Sequence, residues 1–308
     1  MATGKTPCGI AIPQTFASSP IDVQFLHTFL RKAETLGYDS VWVQEQIIGD
    51  TSILEPITLL TYAAALTTKL RLGTSVILPT IRNPVQLAKS LSSLDQLSQG
   101  RLTVGVGFGG PHMQEAVFGV TGEQRSRRFV EGLNILKALW TQPKATVSGT
   151  FWNFTNIAME PKPVQKPYPP VWFGAREPAG LKRAVRHGDG WMGAGSSSSA
   201  DFVQHVGLLR RFLDEAKRDP ATFPLSKRVY IAIDNNKERA ERRLRQWFGD
   251  RYKNADMAVR VSLWGSLAEC LDKLGDLTRA GAQHLMLNPV FDEMEHLELL
   301  AQEVLPKL

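Results

Sequence analysis

The chain has 308 residues, of which 43% are hydrophobic and 21% charged, a composition typical of a globular protein with a large core. Its longest apolar runs are too short to cross a membrane. The formal charge of +6 is spread along the chain, and the densest basic cluster, 237–245, interleaves acids with bases, which indicates a solvated helix face rather than a nucleic-acid surface.

The amino terminus carries no apolar leader segment, so we expect a cytoplasmic protein. Cys8 and Cys270 are far apart in the sequence, and in a reducing compartment we expect both to be buried free thiols. No group of His, Cys, Asp and Glu residues has the spacing of metal ligands, so no metal site is predicted.

Short apolar runs alternate with amphipathic runs along the whole chain. The apolar runs predict parallel strands buried on both faces, at 9–13, 40–44, 70–78, 102–108, 171–174, 190–193, 229–234 and 284–288. The amphipathic runs predict helices at 22–36, 56–67, 84–97, 124–139, 178–186, 200–217, 267–279 and 293–304. Three of the predicted helices begin at a proline. Four of the eight are followed by a glycine, at Gly37, Gly100, Gly188 and Gly281.

Eight strand–helix units in about 300 residues predict an α/β fold, a closed (β/α)8 TIM barrel that forms one domain over residues 1–308. Two insertions interrupt the repeat. The segment 141–170 combines an aromatic-rich stretch with a proline-rich one, which predicts a hairpin followed by an extended return. The segment 235–264 is the second predicted insertion.

A glycine-rich turn follows the fourth predicted strand, in the sequence LDQLSQGRLTVGVGFGG of residues 94–110. Gly105, Gly107 and Gly110 match the GxGxxG fingerprint of a Rossmann fold, but that fingerprint belongs in the first βα unit and opens a helix. Here no strand carrying an acid lies about 20 residues further on. In a barrel the turn lies at the active-site end, where its glycines either bring backbone close to a flat ligand or allow tight packing of a strand end.

Four segments carry a resemblance to a known family: the glycine-rich stretch quoted above, RRFVEGLNILKALW, PKPVQKPYPPVWFGA and LKRAVRHGDGW. Together they resemble the bacterial luciferase-like flavin and deazaflavin oxidoreductases, and the similarity extends from CGIAIP through GAQHLMLNP. The branch that looks closest uses coenzyme F420, a deazaflavin with a phosphate and a polyglutamate tail. FMN-dependent members share the same fold.

The resemblance implies that the cofactor ring is bound at two strand ends. In the family the third strand commonly carries a non-proline cis peptide that bulges against the ring, and the matching bond joins Ser75 to Val76. The glycine loop comes near the ring, which assigns Gly107 and Gly109 to the cofactor site.

The resemblance also implies a phosphate site after the fifth strand. The matching residues are Gly174, Ala175 and Arg176, which lead into the predicted helix 178–186. Backbone N–H groups at a helix start, with an arginine beside them, suit an anion. Trp191 on the sixth strand is expected to line the same site.

Three residues are candidates for catalysis. After the second strand the family places an Asp-His or similar polar pair, and here Glu45 and Gln46 occupy those positions. Glu45 is expected to orient or polarise the substrate, whereas a glutamine cannot exchange a proton as a histidine would. His112, directly after the glycine loop, is the titratable residue best placed near the predicted pocket.

The function implied is an F420-dependent oxidoreductase that moves a hydride between the deazaflavin and a small organic substrate. Phe151 and Trp152 in the first insertion are expected to cover the pocket and exclude water. The alternatives are an FMN-dependent monooxygenase, a cofactor carrier without fast chemistry, and a non-catalytic partner subunit. The family resemblance also implies a homodimer, whereas the interleaved charges and the short apolar runs predict no nucleic-acid or membrane partner.

Overall fold

The computed structural model describes residues 5–16, 19–110, 115–120 and 122–308. Eight parallel strands close into a barrel, because each pairs with the next along the chain and the eighth pairs with the first. We number them β1 (Cys8–Ala11), β2 (Ser40–Val43), β3 (Arg71–Thr74), β4 (Leu102–Val106), β5 (Val171–Gly174), β6 (Gly190–Gly193), β7 (Leu225–Ile233) and β8 (His284–Pro289). The predicted (β/α)8 barrel is confirmed.

The helices lie outside the barrel. In the described residues they are α1 (Val23–Thr35), α2 (Pro56–Leu66), α3 (Pro84–Leu97), α4 (Arg125–Thr141), α5 (Pro178–His187), α6 (Ser199–Glu215), α7 (Lys237–Tyr252), α8 (Met257–Val261), α9 (Leu267–Ala280) and α10 (Glu293–Glu303). Short 3-10 turns occur at Pro79–Ile81, Glu115–Phe118, Gly122–Gln124, Pro220–Thr222 and Leu305–Lys307. None of the helices among these residues is long and apolar enough to cross a membrane.

The predicted start and stop signals agree with the helix ends, with one exception. The three prolines are the first residues of α2, α3 and α5. Three of the four glycines have positive φ angles, whereas Gly188 after α5 is extended, with φ −102°. Glycine is required there for space, because a Cβ would lie 2.6 Å from the Phe173 ring.

The two predicted insertions contain regular structure. The first holds an antiparallel hairpin, Ala145–Ser148 with Asn153–Ile157. The second holds α7, α8 and a ninth strand, Ser262–Gly265, which pairs with the last residues of β7. A small ribbon, Thr15–Phe16 with Ser52–Ile53, follows β1 and β2. Cys8 and Cys270 are buried free thiols, as expected.

Aromatic side chains and a histidine fill the barrel interior toward the amino-terminal ends of the strands. The rings of Trp42 and Trp172 stack with centroids 5.7 Å apart, and His284 packs against both. His284 lies within hydrogen-bonding distance of Ser40 Oγ (3.0 Å) and Ser226 Oγ (2.8 Å), and burial lowers its pKa to about 3. These packed side chains fill the amino-terminal part of the barrel, so a site can open only at the carboxyl-terminal ends of the strands.

Candidate active site

A cavity of about 530 Å³ opens at the carboxyl-terminal ends of β3 to β7. This volume is in the range of small-molecule and cofactor sites. The predicted cofactor residues on its wall are Ser75, Val76, Gly107, Gly109, Gly174, Ala175 and Arg176. These residues lie at the end of β5 and in the loops that follow β3, β4 and β5, separated by up to about 100 positions in the sequence, and barrel closure brings them together.

The predicted non-proline cis peptide is present between Ser75 and Val76. It directly follows β3, where Ser75 N donates to Val43 O at 2.6 Å and the Ser75 hydroxyl contacts Met192 Sδ at 3.0 Å. Both Ser75 and Val76 face the cavity. The peptide forms a small platform in the cavity wall, with the Val76 side chain as its apolar part.

The glycines around this platform are required for packing. A Cβ on Gly105 would lie 1.8 Å from Thr74 O, and one on Gly107 would lie 2.7 Å from Val76 Cγ2. A Cβ on Gly174 would lie 2.8 Å from the other Val76 methyl carbon. Of the two interpretations of the glycine-rich turn left open by the sequence, close packing of a strand end therefore holds for Gly105 and Gly107, and Gly107 lines the cavity as well.

One side of the cavity is rich in positive charge. The guanidinium groups of Arg125 and Arg183 each lie 4.9 Å from the centre of the Phe108 ring, and Arg125 also donates to the Phe108 carbonyl. Arg176 Nη1 lies 3.4 Å from Ser196 Oγ. The first turn of α5 faces the same region through Ala179 and Gly180, and its N-cap provides no side-chain hydrogen bond. Arginines beside an uncapped helix start provide the donors that a phosphate needs.

Trp191 does not line the cavity. Its side chain is fully buried, its ring stacks on Phe202, and Nε1 donates to Ala175 O at 2.9 Å. Sequence cannot show which way a strand residue points until the register is known, and here the indole faces α6 instead of the cavity. Trp191 therefore holds the Ala175 carbonyl in place by a hydrogen bond, from the side away from the cavity.

Glu45 is also excluded from the cavity wall, contrary to expectation. Its side chain is fully buried and its two oxygens are occupied: Oε2 accepts from Leu78 N at 2.5 Å and Oε1 from Arg82 Nε at 2.6 Å. Burial raises the pKa of Glu45, and the Arg82 guanidinium opposes that rise. This ion pair fixes the chain segment that follows the cis peptide, so in this structure Glu45 does not face a substrate.

The other catalytic and covering residues lie elsewhere. Gln46 lines neither this cavity nor the smaller one described below. His112 lies outside the described residues. Phe151 and Trp152 stack on the Arg128 guanidinium, and their backbone N–H groups donate to Glu131 on α4. The hairpin therefore packs against α4, and neither aromatic residue lines the cavity it was expected to cover.

A second, smaller cavity of about 40 Å³ lies beside the first, and Arg228 lines both. Gln14, Gln44 and Asn288 contribute polar groups to the small cavity, and Glu293 contributes a carboxyl. Burial raises the pKa of Glu293, so this carboxyl retains its proton to higher pH than an exposed glutamate would. These residues come from the ends of β1, β2 and β8, which the sequence analysis did not assign to the site.

Lys227 and Arg228 are not among the predicted site residues, because the predicted strand begins at residue 229. Both are buried within β7, which starts four residues earlier. Lys227 points outward and donates to Ala194 O (2.5 Å) and to Ser197 O (2.7 Å), in the loop that borders the cavity before α6. Two adjacent charged residues inside an apolar run were the available signal, since on a strand one of them must face the barrel interior.

We expect the buried Lys227 to make stability depend on pH. Burial lowers its pKa from 10.5 to about 7, so between these values the unfolded chain binds a proton that the folded chain lacks. Stability from this group therefore rises with pH across that window, by up to about 1.4 kcal/mol per pH unit. Urea unfolding of the wild type and Lys227→Met at several pH values checks this, because the free energy of unfolding should rise more steeply with pH in the wild type. Equal pH dependence in the two proteins would mean that Lys227 stays protonated in the folded state.

Two curated proteins are similar to this chain in sequence. An uncharacterized protein of Mycobacterium tuberculosis is 35% identical over 210 residues, which are 61% of this chain and 73% of that protein. The F420-dependent glucose-6-phosphate dehydrogenase of Beutenbergia cavernae is 27% identical over 307 residues, covering 90% of each chain.

Solved structures share the fold over nearly the full length. The monooxygenase RslO1 of Streptomyces bottropensis has a TM-score of 0.80 and 26% identity, covering 97% of this chain and 99% of that one. An F420-dependent secondary alcohol dehydrogenase with an F420-acetone adduct has a TM-score of 0.86 and 20% identity, covering 99% of each. The oxygenating constituent of 3,6-diketocamphane monooxygenase from Pseudomonas putida, in complex with FMN, has a TM-score of 0.78 and 18% identity, covering 99% of each.

The model of one protein family matches residues 8–284, which include the first seven strands of the barrel, the first residue of β8 and the whole lining of the larger cavity. That family is described as luciferase-like monooxygenase. The extent of this match shows that the chain belongs to the luciferase-like monooxygenase family.

Proposed function

We propose that this chain is an F420-dependent oxidoreductase that transfers a hydride between the deazaflavin and a small organic substrate. The observation that carries the proposal is the larger cavity, which combines the Ser75–Val76 platform with an arginine-rich end next to the start of α5. The F420-dependent dehydrogenase of Beutenbergia cavernae, similar over most of both chains, supports the choice of cofactor.

The residues present fit a flat, phosphate-bearing cofactor. The cavity is large enough for one, and the tight packing of Gly107 and Gly174 around Val76 holds the platform in place. When bound, the deazaflavin supplies the hydride chemistry. The protein would bind it: Ser75 and Val76 would support the ring, and Arg176 with the N–H groups of the first α5 turn would bind the phosphate.

Titration of the purified protein with F420 and with FMN tests the proposal, followed by a substrate screen with the cofactor that binds. Tight binding of F420, followed by a substrate-dependent change in its absorbance, is the expected result. Binding without turnover by any substrate would favour a cofactor carrier. If neither cofactor binds, both the enzyme and the carrier are excluded, and a non-catalytic subunit remains.

A second candidate function is an FMN-dependent monooxygenase, which the likeness to the monooxygenase RslO1 favours. The same cavity would then hold reduced flavin for reaction with oxygen. The titration separates the two functions by cofactor preference. Oxygen consumption by the protein loaded with reduced FMN, in the presence of substrate, would support the second.

Arg176→Ala should weaken cofactor binding by roughly 1–3 kcal/mol, because a charge-assisted hydrogen bond to the phosphate is lost. Lys182→Ala is the matched control: this lysine lies on α5 but outside the cavity lining, over the ring of Phe212. Dissociation constants from fluorescence titration give the comparison. Equal affinities for wild type and Arg176→Ala would remove Arg176 from the phosphate site.

A further inference from the structure

Arg228 is a buried cation whose hydrogen-bond partners are all neutral. It is 8% exposed. Nε donates to Asn288 Oδ1 at 3.0 Å, Nη2 donates to the same oxygen at 2.5 Å and to Gln44 Oε1 at 3.1 Å, and Nη1 donates to Ser75 O at 3.2 Å. Among the residues that the structure describes, no carboxylate oxygen lies within 4 Å of this guanidinium.

A buried charge of this kind is unusual, since burial costs several kcal/mol unless an opposite charge compensates it. Arg82, which is also largely buried, has the usual compensation for a buried charge, because it contacts the carboxylates of Glu45 and Glu55. The amide oxygens around Arg228 hold the guanidinium in one orientation without neutralising it. A negatively charged ligand is therefore the missing counterpart.

The position of Arg228 indicates what that ligand is. It is the residue common to the linings of both cavities, and it donates to the carbonyl oxygen of Ser75, the first residue of the cis platform. A guanidinium has five N–H groups, of which the contacts above use four, so one N–H on Nη1 remains available. A ring bound against Ser75 and Val76 would lie in the same cavity as that group, which donates its other N–H to Ser75 O at 3.2 Å.

We propose that Arg228 binds the negative charge that the cofactor ring carries after it accepts a hydride. The inference rests on the proposed function. Hydride transfer would break the substrate C–H bond, oxidise that carbon by two electrons and add two electrons and one hydrogen nucleus to the ring, while the positive charge left on the substrate would be released to solvent as a proton. The ring thus gains one unit of negative charge until a proton follows, and Arg228 stabilises this form in preference to the oxidised ring.

The redox potential of the bound cofactor tests this without any substrate. Whichever of FMN and F420 the wild type binds is used as the probe. In Arg228→Gln the reduced cofactor should lose at least tenfold more affinity than the oxidised one, which lowers the midpoint potential by about 30 mV or more for a two-electron couple. Arg228→Lys keeps the charge and should restore part of this loss. Arg71→Gln, which removes an arginine from the opposite end of the barrel, should leave the potential unchanged.

The wild type alone provides a second measurement, which does not depend on the folding of a variant. If the reduced ring stays anionic, one proton accompanies two electrons, and the potential changes by about 30 mV per pH unit. A slope of about 60 mV per pH unit, or an unchanged potential in Arg228→Gln with the oxidised cofactor still bound, would overturn the role of Arg228 and leave the proposed function standing. Failure of the wild type to bind either probe would instead overturn the function itself.

Discussion

Gly105→Ala is expected to lower the free energy of unfolding by about 3 kcal/mol, at the upper end of the usual cost of overpacking. The added Cβ would lie 1.8 Å from Thr74 O, and a backbone atom cannot rotate away as a side chain can. The strands β3 and β4 would have to separate locally. This would strain the bonds that the Gly105 carbonyl accepts from Thr74 Oγ1 (2.7 Å) and from Ile77 N (2.8 Å).

Gly110→Ala is the matched control, because among the described residues no atom beyond its immediate chain neighbours lies within 4 Å of its added Cβ, and its φ angle is not positive. We expect it to change stability by no more than about 0.5 kcal/mol. Urea unfolding of the two variants and the wild type measures the difference. If both variants lost the same free energy of unfolding, the close contact between β3 and β4 would not be the reason for a glycine at position 105.

This comparison explains why a dinucleotide-like glycine pattern occurs in a barrel. Gly105 and Gly107 are set by neighbours inside the protein, the Thr74 carbonyl and the Val76 side chain. In a Rossmann fold the corresponding glycines let backbone approach a pyrophosphate. The same residue type thus satisfies the same physical requirement, absence of a Cβ, against two different partners.

The barrel could be predicted because its signals are local. Continuous apolar runs, prolines at helix starts and glycines after helix ends each depend on a few neighbouring residues. The one strand whose start was clearly misplaced, β7, contains Lys227 and Arg228, and charged residues are normally a reason to end a buried strand. They are tolerated because carbonyl and amide oxygens from other strands and loops accept their hydrogen bonds.

The site was predicted only in part, because its remaining features depend on contacts between distant segments. Family resemblance predicts that residues around Ser75 and Gly174 bind the cofactor, and these residues do line one cavity. Nothing near Glu45 in the sequence indicates that Arg82, 37 positions away, holds its carboxylate. Likewise, the approach of Arg228 to Ser75 exists only after the barrel closes. Such partners cannot be recognised before the register of the strands is known.

Arg82→Met is expected to destabilise the fold by about 3–5 kcal/mol, the usual cost of removing one member of a buried ion pair. The fully buried Glu45 carboxylate would keep the Leu78 N–H donor and lose its counter-charge. Burial already raises the pKa of Glu45, and without Arg82 the pKa would rise further. The folded chain would then keep a proton that the unfolded chain has already released above its ordinary glutamate pKa of about 4.3, so the variant should lose stability as pH rises from there toward the raised pKa of the folded state.

Two further variants separate the contribution of the Glu45–Arg82 ion pair from other effects of the substitution. Glu55→Gln removes the more exposed carboxylate that Arg82 also contacts, at 2.7 Å, and should cost less than about 1 kcal/mol. Adding Glu45→Gln to Arg82→Met removes the buried charge and should recover part of the lost stability, most clearly at the highest pH. Urea unfolding across the pH range measures both effects. If Arg82→Met were no less stable than Glu55→Gln at every pH, Glu45 would not be a buried anion, and its assignment as a structural residue instead of a catalytic one would have to be withdrawn.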